Sequence, residues 1–304
     1  MAKTIQEFKQ EGSGWRIKVT TADGTEFFSQ EQKQPHRGEN SFDAEYLMRF
    51  HIPFDRSPDS NVGDLWLYNL EKQTITKFKR NELLKMEACF QPYEKHHELL
   101  YKGTIEDCLV DEVNAATRTL RVRLGDTTDL WPVKVTSKTY SPGVKAKVVA
   151  EDLINELTID VGRLEPKENP TYTKGLSMVG AIRPELEMVV RDMKSKLHVS
   201  RRQVFILDPQ KGVPSGVVLT PDNGLLAAKP TLSVPEDMQY VETLTDDESP
   251  VIYEIKALLT PKLWTDSEFE IAESKNLNGN FRILRGSHDC DGLNFLTTVW
   301  AVKI

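Results

Sequence analysis

The stretch Tyr46-Leu47-Met48-Arg49-Phe50-His51-Ile52-Pro53-Phe54 decides the fold class of this chain. Its large apolar side chains recur at every second position: Tyr46, Met48, Phe50, Ile52 and Phe54. Successive side chains of a strand point to opposite faces of a sheet, so this spacing predicts a half-buried antiparallel strand. We therefore expect a mainly β (α+β) protein.

The same alternation appears on both sides of this strand. A turn at residues 22–25 is expected to join the first strand to a return strand. Asn69 is expected to be the N-cap of a short helix that contains Leu70, Ile75 and Phe78. Further strands are predicted at residues 15–19, 65–68, 84–90 and 99–105. Residues 1–105 are therefore interpreted as a first β-barrel or sandwich module.

The remainder of the chain mixes β and α signals. Two amphipathic helices are predicted, over residues 146–157 and 185–198, with Pro184 at the start of the second. Alternating residues predict strands at 120–124, 131–135, 204–207 and in four stretches between 251 and 304. We assign residues 106–144 and 235–304 to a second, discontinuous β module and residues 145–234 to an inserted α/β module.

A faint internal similarity links the two β segments. Residues 81–88, NELLKMEA, resemble residues 266–272, DSEFEIA. Each stretch precedes a turn, a short strand and an Asp-Cys pair, which is Asp107-Cys108 in one case and Asp289-Cys290 in the other. Chance and duplication both explain this similarity. A duplication would place two similar β modules around the α/β insertion.

Composition limits the classes of function. The chain has 304 residues, of which 39% are hydrophobic and 28% charged, and its net charge is −7. No apolar run approaches the roughly 20 residues of a membrane span, and the N-terminus lacks an apolar signal-peptide region, so assembly in a cytoplasm is expected. The acidic balance argues against a duplex-DNA binder, although DNA could slide past such a surface.

The search for catalytic or metal-binding patterns finds none. Cys89, Cys108 and Cys290 form no CxxC pair and are expected to be reduced. His288-Asp289-Cys290-Asp291 contains four candidate metal ligands, but neighbouring side chains in a strand or turn diverge. His96-His97 and Arg201-Arg202 are expected in solvated turns, and Trp131, Trp264 and Trp300 in strands, within the core or a subunit interface. We predict no catalytic, cofactor-binding or metal-binding residue, and no enzyme.

Three stretches in order resemble the baseplate hub proteins of contractile-tailed bacteriophages, the tail protein D-like family. The first is Tyr46–Phe54 with residues 61–70, 84–90 and 100–105; the second is GLSMVG at 175–180 with residues 185–198 and 203–207. The third comprises TPDNGLL at 220–226, residues 253–261, LNGNFRI at 277–283 and SHDCDG at 287–292. This chain lacks the glycine that usually precedes the aspartate in the last turn.

The resemblance implies a structural role in the virion. Hubs of this family are homotrimers, and each subunit contributes two tail-tube-like β modules. The resulting pseudo-sixfold ring matches the hexameric tail tube and encloses a channel for DNA during ejection. The implied partners are the tail tube protein, the central spike protein, the tape-measure protein and the baseplate wedge proteins, with genomic DNA only in transit. Assembly in the host cytoplasm and a final location in the tail baseplate follow.

Subunit contacts are expected where strand edges stay open. Our candidates are the edges near Trp15–Val19 and Thr297–Lys303, because unpaired edges can pair with a neighbouring subunit. The interface residues predicted from these edges are Trp15, Ile17, Val19, Thr297, Val299 and Ala301.

Other functions remain open at the level of sequence. A tube-end adaptor, a terminator or the hub of a non-contractile tail would share most of these features. A tail-associated cell-wall hydrolase would need a catalytic constellation, and a carbohydrate-binding β protein would need exposed tryptophans on one face.

Overall fold

The computed structural model describes residues 15–29, 45–59, 61–90, 96–114, 117–126, 135–231, 251–292 and 294–304. The fold is mainly β, as the alternating residues predict. Its strands are β1 (Trp15–Thr21), β2 (Glu26–Ser29), β3 (Glu45–Tyr46), β4 (Met48–Phe54), β5 (Val62–Tyr68), β6 (Leu83–Phe90), β7 (Glu98–Asn114), β8 (Thr117–Gly125), β9 (Val135–Tyr140), β10 (Val144–Lys145), β11 (Asp160–Glu165), β12 (Thr171–Tyr172), β13 (Leu176–Ala181), β14 (Lys196–Ser200), β15 (Gln203–Leu207), β16 (Val213–Leu219), β17 (Leu225–Pro230), β18 (Ile252–Leu258), β19 (Ser267–Ile271), β20 (Gly279–Cys290) and β21 (Phe295–Lys303). The helices are α1 (Lys72–Ile75), α2 (Ala146–Leu157) and α3 (Ile182–Asp192).

The chain divides into two compact units. The β unit lies within residues 1–55, 62–124 and 213–304, and the α/β unit lies within residues 56–61 and 125–212. This division differs from the expected one at both boundaries of the insertion. β8 pairs with β5 and β7, so the residues after 105 complete the first β segment instead of starting the second. The α/β unit ends at Gly212, and β16 and β17 belong to the β unit.

One large sheet organises the β unit. Its strand order is β17-β18-β21-β20-β4-β5-β8-β7-β6-β1-β2-β3, with β19 also paired to β20 and β16 to β19. The decisive stretch of sequence lies in the middle as β4, where Met48, Phe50, Ile52 and Phe54 are all buried. The alternation predicted there is therefore confirmed, and these side chains belong to one core that extends through the β unit.

The α/β unit has a separate core beneath its two longer helices. α2 buries Val149, Ala150 and Leu153 on one face, as its helical spacing predicts. The sheet is β11-β15-β14, and β9 pairs with β13 as a separate ribbon. α3 ends at Asp192, six residues before the predicted end, because Lys194 adopts a left-handed φ of 51° and Leu197 pairs with Ile206 in the sheet.

The short helix also begins later than expected. Asn69 has a left-handed φ of 58° and its backbone N–H donates to the carbonyl of Arg118 at 2.7 Å. The chain therefore turns at Asn69, and Glu71 is the N-cap residue of α1. Trp131 and Val133, which were expected in a strand, lie outside the described residues.

The two β segments share one strand order. The first repeat is β4-β5-β8-β7-β6 and the second repeat is β17-β18-β21-β20-β19. In each repeat the strands that come first and second in the sequence pair directly. The strand that comes last in the sequence lies beside the second strand. The sequence similarity at residues 81–88 and 266–272 therefore falls on corresponding strands, β6 and β19.

Backbone hydrogen bonds before these strands also correspond. Asn81 donates to the carbonyl of Ile105 at 2.7 Å, and Asp266 donates to that of Ile283 at 3.0 Å. Both donors are left-handed, with φ of 64° and 60°. In the first repeat the backbone N–H groups of Phe78 and Glu82 donate to the carbonyls of Ile75 and Lys79. At the same sequence spacing in the second repeat, the N–H groups of Leu263 and Ser267 donate to the carbonyls of Thr260 and Trp264. This agreement favours duplication over chance.

Candidate assembly surface

The two repeats meet where β4 pairs antiparallel with β20. We call this pair the seam; it runs from Phe54 opposite Gly286 to Phe50 opposite Cys290. Glycine is needed at Gly286, because a Cβ there would lie 2.6 Å from the ring of Phe54 and 2.6 Å from the carbonyl oxygen of Thr298. The close approach of backbone and ring explains why this position of β20 holds a residue without a side chain.

The buried face of the seam is aromatic. The ring of Phe54 stacks on Trp264 with centroids 4.3 Å apart, and the imidazole of His288 lies 4.9 Å from Phe54 and 5.1 Å from Trp264. The Thr260 backbone N–H donates to the Thr297 hydroxyl oxygen at 2.8 Å. That hydroxyl lies 2.9 Å from Nδ1 of His288 and can donate its proton there. His288 is therefore a buried packing residue.

The solvent-facing side of the seam is polar. Nδ1 of His51 lies 2.5 Å from Oδ1 of Asp289, and Ser287 donates its hydroxyl to Oδ2 of Asp289 at 2.5 Å. The hydrogen bond with Asp289 raises the pKa of His51 above its ordinary value, with burial acting against it and the negative charge of Asp64 adding to it. The side chains remain substantially exposed, so the pair is a surface interaction of modest strength.

The run of four candidate ligands at residues 288–291 does not converge. His288 points into the core, Asp289 bonds His51, and Asp291 accepts hydrogen bonds from the backbone and side chain of Asn294. Burial raises the pKa of the Cys290 thiol to about 12. Among the residues that the structure describes, no group of three or more histidine, cysteine or acidic side chains could hold a metal ion.

Other residues that could take part in binding or catalysis also have structural roles. Arg201 and Arg202 form the turn between β14 and β15, and both have left-handed φ, as a tight hairpin turn requires. Nε2 of His97 lies 3.3 Å from the buried Sγ of Cys89. A cleft of about 450 Å³ beside β16 is lined by backbone and aliphatic side chains together with His96 and the ion pair Lys262–Glu98, whose atoms lie 3.3 Å apart.

The six predicted interface residues lie inside the β unit. Trp15, Ile17 and Val19 are buried, and their strand β1 pairs with both β2 and β6. Thr297, Val299 and Ala301 are equally buried, and β21 lies between β18 and β20. Both are interior strands of the sheet, with a described strand on each side. The alternating pattern that suggested these residues reports their burial in the core.

Two open edges lie on other strands of the described sheet. In the described part of the chain β17 pairs only with β18, and β7 loses its partner on the β6 side after Thr104. Three apolar side chains are exposed at these edges: Leu109 (56%), Val110 (47%) and Leu226 (41%). The sequence signal for them is weak, because Leu109 and Val110 are adjacent and do not alternate with polar residues.

No helix within the described ranges has both the length and the apolar character to cross a membrane. No protein-family model matches the sequence, and no curated protein matches it. The fold, in contrast, is similar to solved structures over almost the whole chain. A tail protein from Neisseria meningitidis MC58 gives a TM-score of 0.60 at 9% identity, with 95% of this chain and 97% of the other covered.

Two further structures show the same likeness. The 43 kDa tail protein of prophage MuSo2 from Shewanella oneidensis gives a TM-score of 0.60 at 12% identity, covering 95% of this chain and 98% of the other. A component of the E. coli type VI secretion system, itself described as similar to the T4 tail proteins gp27 and gp5, gives 0.55 at 12% identity, covering 88% and 76%. The chain therefore has the fold of these tail proteins.

Proposed function

We propose that this chain is a structural component of a bacteriophage tail baseplate, a trimeric hub that joins the tail tube to the central spike. The observation that supports it most directly is the pair of repeats with one strand order in a chain whose fold resembles tail proteins from end to end. Three copies of a two-repeat chain supply six similar modules. Six modules suit a hexameric tube, because each tube subunit then faces an equivalent surface.

The same arrangement assigns partners to the two faces of the ring. One face contacts the tail tube protein, and the other holds the spike, with baseplate wedge proteins around the periphery. The channel admits the end of the tape-measure protein and, during ejection, the DNA. A net charge of −7 suits a channel wall that repels phosphate and does not retain the DNA. The role needs no catalytic group, and His288 and Asp289 have structural roles at the seam.

Labelling of tails tests this proposal. Virions that carry an epitope on this chain are incubated with a gold-conjugated antibody and viewed by electron microscopy, and purified protein is averaged in parallel. We expect one label cluster at the distal end of the tube and a threefold ring for the purified protein bound to tube. Label spread along the tube, or only at the head-proximal end, would contradict a hub. A tail without a contractile sheath would keep the hub role and exclude the contractile class.

A further inference from the structure

We propose that β17 of one copy pairs antiparallel with residues 107–111 of β7 in the next copy, so that chains join head to tail. This inference deepens the proposed hub assembly, on which it rests, by naming the strands that join its subunits. The partner that covers each strand edge is a second copy of this chain. The argument comes from the seam, which shows how one repeat binds the next.

The seam uses two successive segments of β20. The first segment of β20 pairs with β19, from Gly279 opposite Ile271 to Arg282 opposite Glu268. Beyond Ile283 the same edge of β20 is taken over by β4, from Gly286 to Cys290. The edge of the second repeat is thus completed by the first strand of the other repeat.

β7 occupies the place of β20 in the first repeat. It pairs with β6 up to Thr104 opposite Leu83, and Ile105 receives the bond from Asn81 that corresponds to the bond from Asp266 to Ile283. After Ile105 the strand continues to Asn114, but no described strand pairs with this edge. Among the described strands, the first repeat therefore has an open edge at the position where the second repeat binds β4.

Burial distinguishes the occupied edge from the open one. Ser287 and His288 in the seam segment of β20 are 9% and 0% exposed, whereas Leu109 and Val110 in β7 are 56% and 47% exposed. Leu109 and Val110 are neighbours, so their side chains project from opposite faces of the strand. Exposure of both indicates that this end of β7 lacks cover on both faces, as an unoccupied docking strand does.

β17 supplies the complementary edge. It holds the place of β4 in the second repeat, since each is the first strand and pairs with the second strand of its repeat. β4 has β20 on its other side, whereas the corresponding side of β17 has no described partner, and Leu226 on β17 is 41% exposed. One copy therefore presents a β4-like edge at β17, which ends the sheet, and a β20-like edge along the part of β7 that extends past β6.

Pairing these two edges continues the relation between the repeats into the next copy. The contact is heterologous, because each copy uses β7 for one neighbour and β17 for the other, and such contacts form a closed ring when the rotation closes. The contact also covers two strand edges that would otherwise invite aggregation, and it buries apolar side chains across the new strand pair.

Charge substitutions at the two edges test the pairing in the full-length protein. The double variant Val110→Lys with Leu226→Lys places like charges on both edges, and the double variant Val110→Lys with Leu226→Glu places opposite charges there. The control, Val135→Lys with Val179→Lys, changes two apolar residues of the α/β unit that are more exposed, at 74% and 76%. Circular dichroism reports folding, and sedimentation equilibrium at the highest soluble concentration reports mass.

We expect the wild type, the opposite-charge variant and the control to form an oligomer, and the Lys–Lys variant to sediment as a folded single chain. A Lys–Lys variant with the same mass as the wild type would overturn the pairing. So would an opposite-charge variant or a control that dissociates as fully as the Lys–Lys variant. A wild type that sediments only as a single chain would also overturn it. A retained oligomer in the Lys–Lys variant leaves the hub role intact. Gold label found away from the distal end of the tube would contradict the hub role without contradicting the strand pairing.

Discussion

The imidazole of His51 and the carboxylate of Asp289 lie 2.5 Å apart across the seam, on the solvent-facing side of the strand pair that joins the two repeats. On the opposite side the ring of Phe54 packs against Trp264 and His288. One side of the seam thus depends on a titratable pair and the other on aromatic packing. The stabilisation from the titratable pair responds to pH, and the stabilisation from aromatic packing responds to changes in side-chain volume.

The contribution of His51 should decrease as the pH rises. The hydrogen bond to Asp289 raises the folded-state pKa of His51 above its ordinary value of 6.5. A raised pKa means that this stabilisation is fully present below pH 6.5 and is lost as the pH passes the folded-state pKa. We expect wild type to exceed His51→Gln in free energy of unfolding by less than about 1 kcal/mol at low pH, because the pair is half exposed.

Urea denaturation of both proteins across this pH range measures the difference. His96→Gln is the control, since its side chain is exposed and belongs to neither strand of the seam. A difference between wild type and His51→Gln that stays constant, or grows, from pH 6.5 upward would contradict the role assigned to the pair.

Substitution of Gly286 should strain the buried side of the seam. A Cβ at this position would lie 2.6 Å from both the Phe54 ring and the Thr298 carbonyl oxygen. We expect Gly286→Ala to lower the free energy of unfolding by about 3 kcal/mol, at the upper end of the usual cost of overpacking. Phe54→Leu removes the outer ring atoms, so the double variant should lose less than the sum of the single losses. Additive losses in thermal denaturation would show that ring and Cβ do not collide.

Loss of the Asp126 carboxylate should destabilise the α/β unit. Asp126 is 1% exposed, and its two oxygens accept the backbone N–H of Asn61 at 3.0 Å and the side-chain amide at 3.2 Å. Asp126→Ala leaves both donors without this acceptor and should cost about 2–3 kcal/mol. Asp126→Asn retains one acceptor oxygen and should cost less, and the exposed Asp222→Ala should cost almost nothing. Chemical denaturation that finds Asp126→Ala equal to Asp222→Ala would refute this role.

Local periodicity predicted the elements whose stability depends on one buried face. The strand β4 and the helix α2 follow their apolar spacing residue by residue, because each side chain of the spaced set enters a core. The similarity between residues 81–88 and 266–272 likewise identified corresponding strands. In each case the signal lies within a single segment of about ten residues.

Strand edges and element boundaries could not be predicted from local periodicity, because they depend on which strands pair. Val19 and Val299 alternate with polar neighbours as an edge strand would, yet both strands have partners on each side. β7 continues past the predicted end at residue 105 because its pairing with β8 carries it on, and no local pattern marks that continuation. The position of Asn69 shows the same limit, since its left-handed turn follows from the contact with Arg118.

The cysteines should resist modification in the native protein. Burial is the main cause that raises the pKa of Cys290 to about 12 and that of Cys108 to about 11, and residue Cys89 is 1% exposed. The thiolate is the reactive species, so an aromatic disulfide reagent at pH 8 should label the native chain slowly. All three thiols should react at once in denaturant, which provides the internal control. Rapid labelling of one thiol in the native state would show that its strand opens readily. Cys108→Ser would then reveal whether that strand is β7, whose edge we propose to be covered by the next copy.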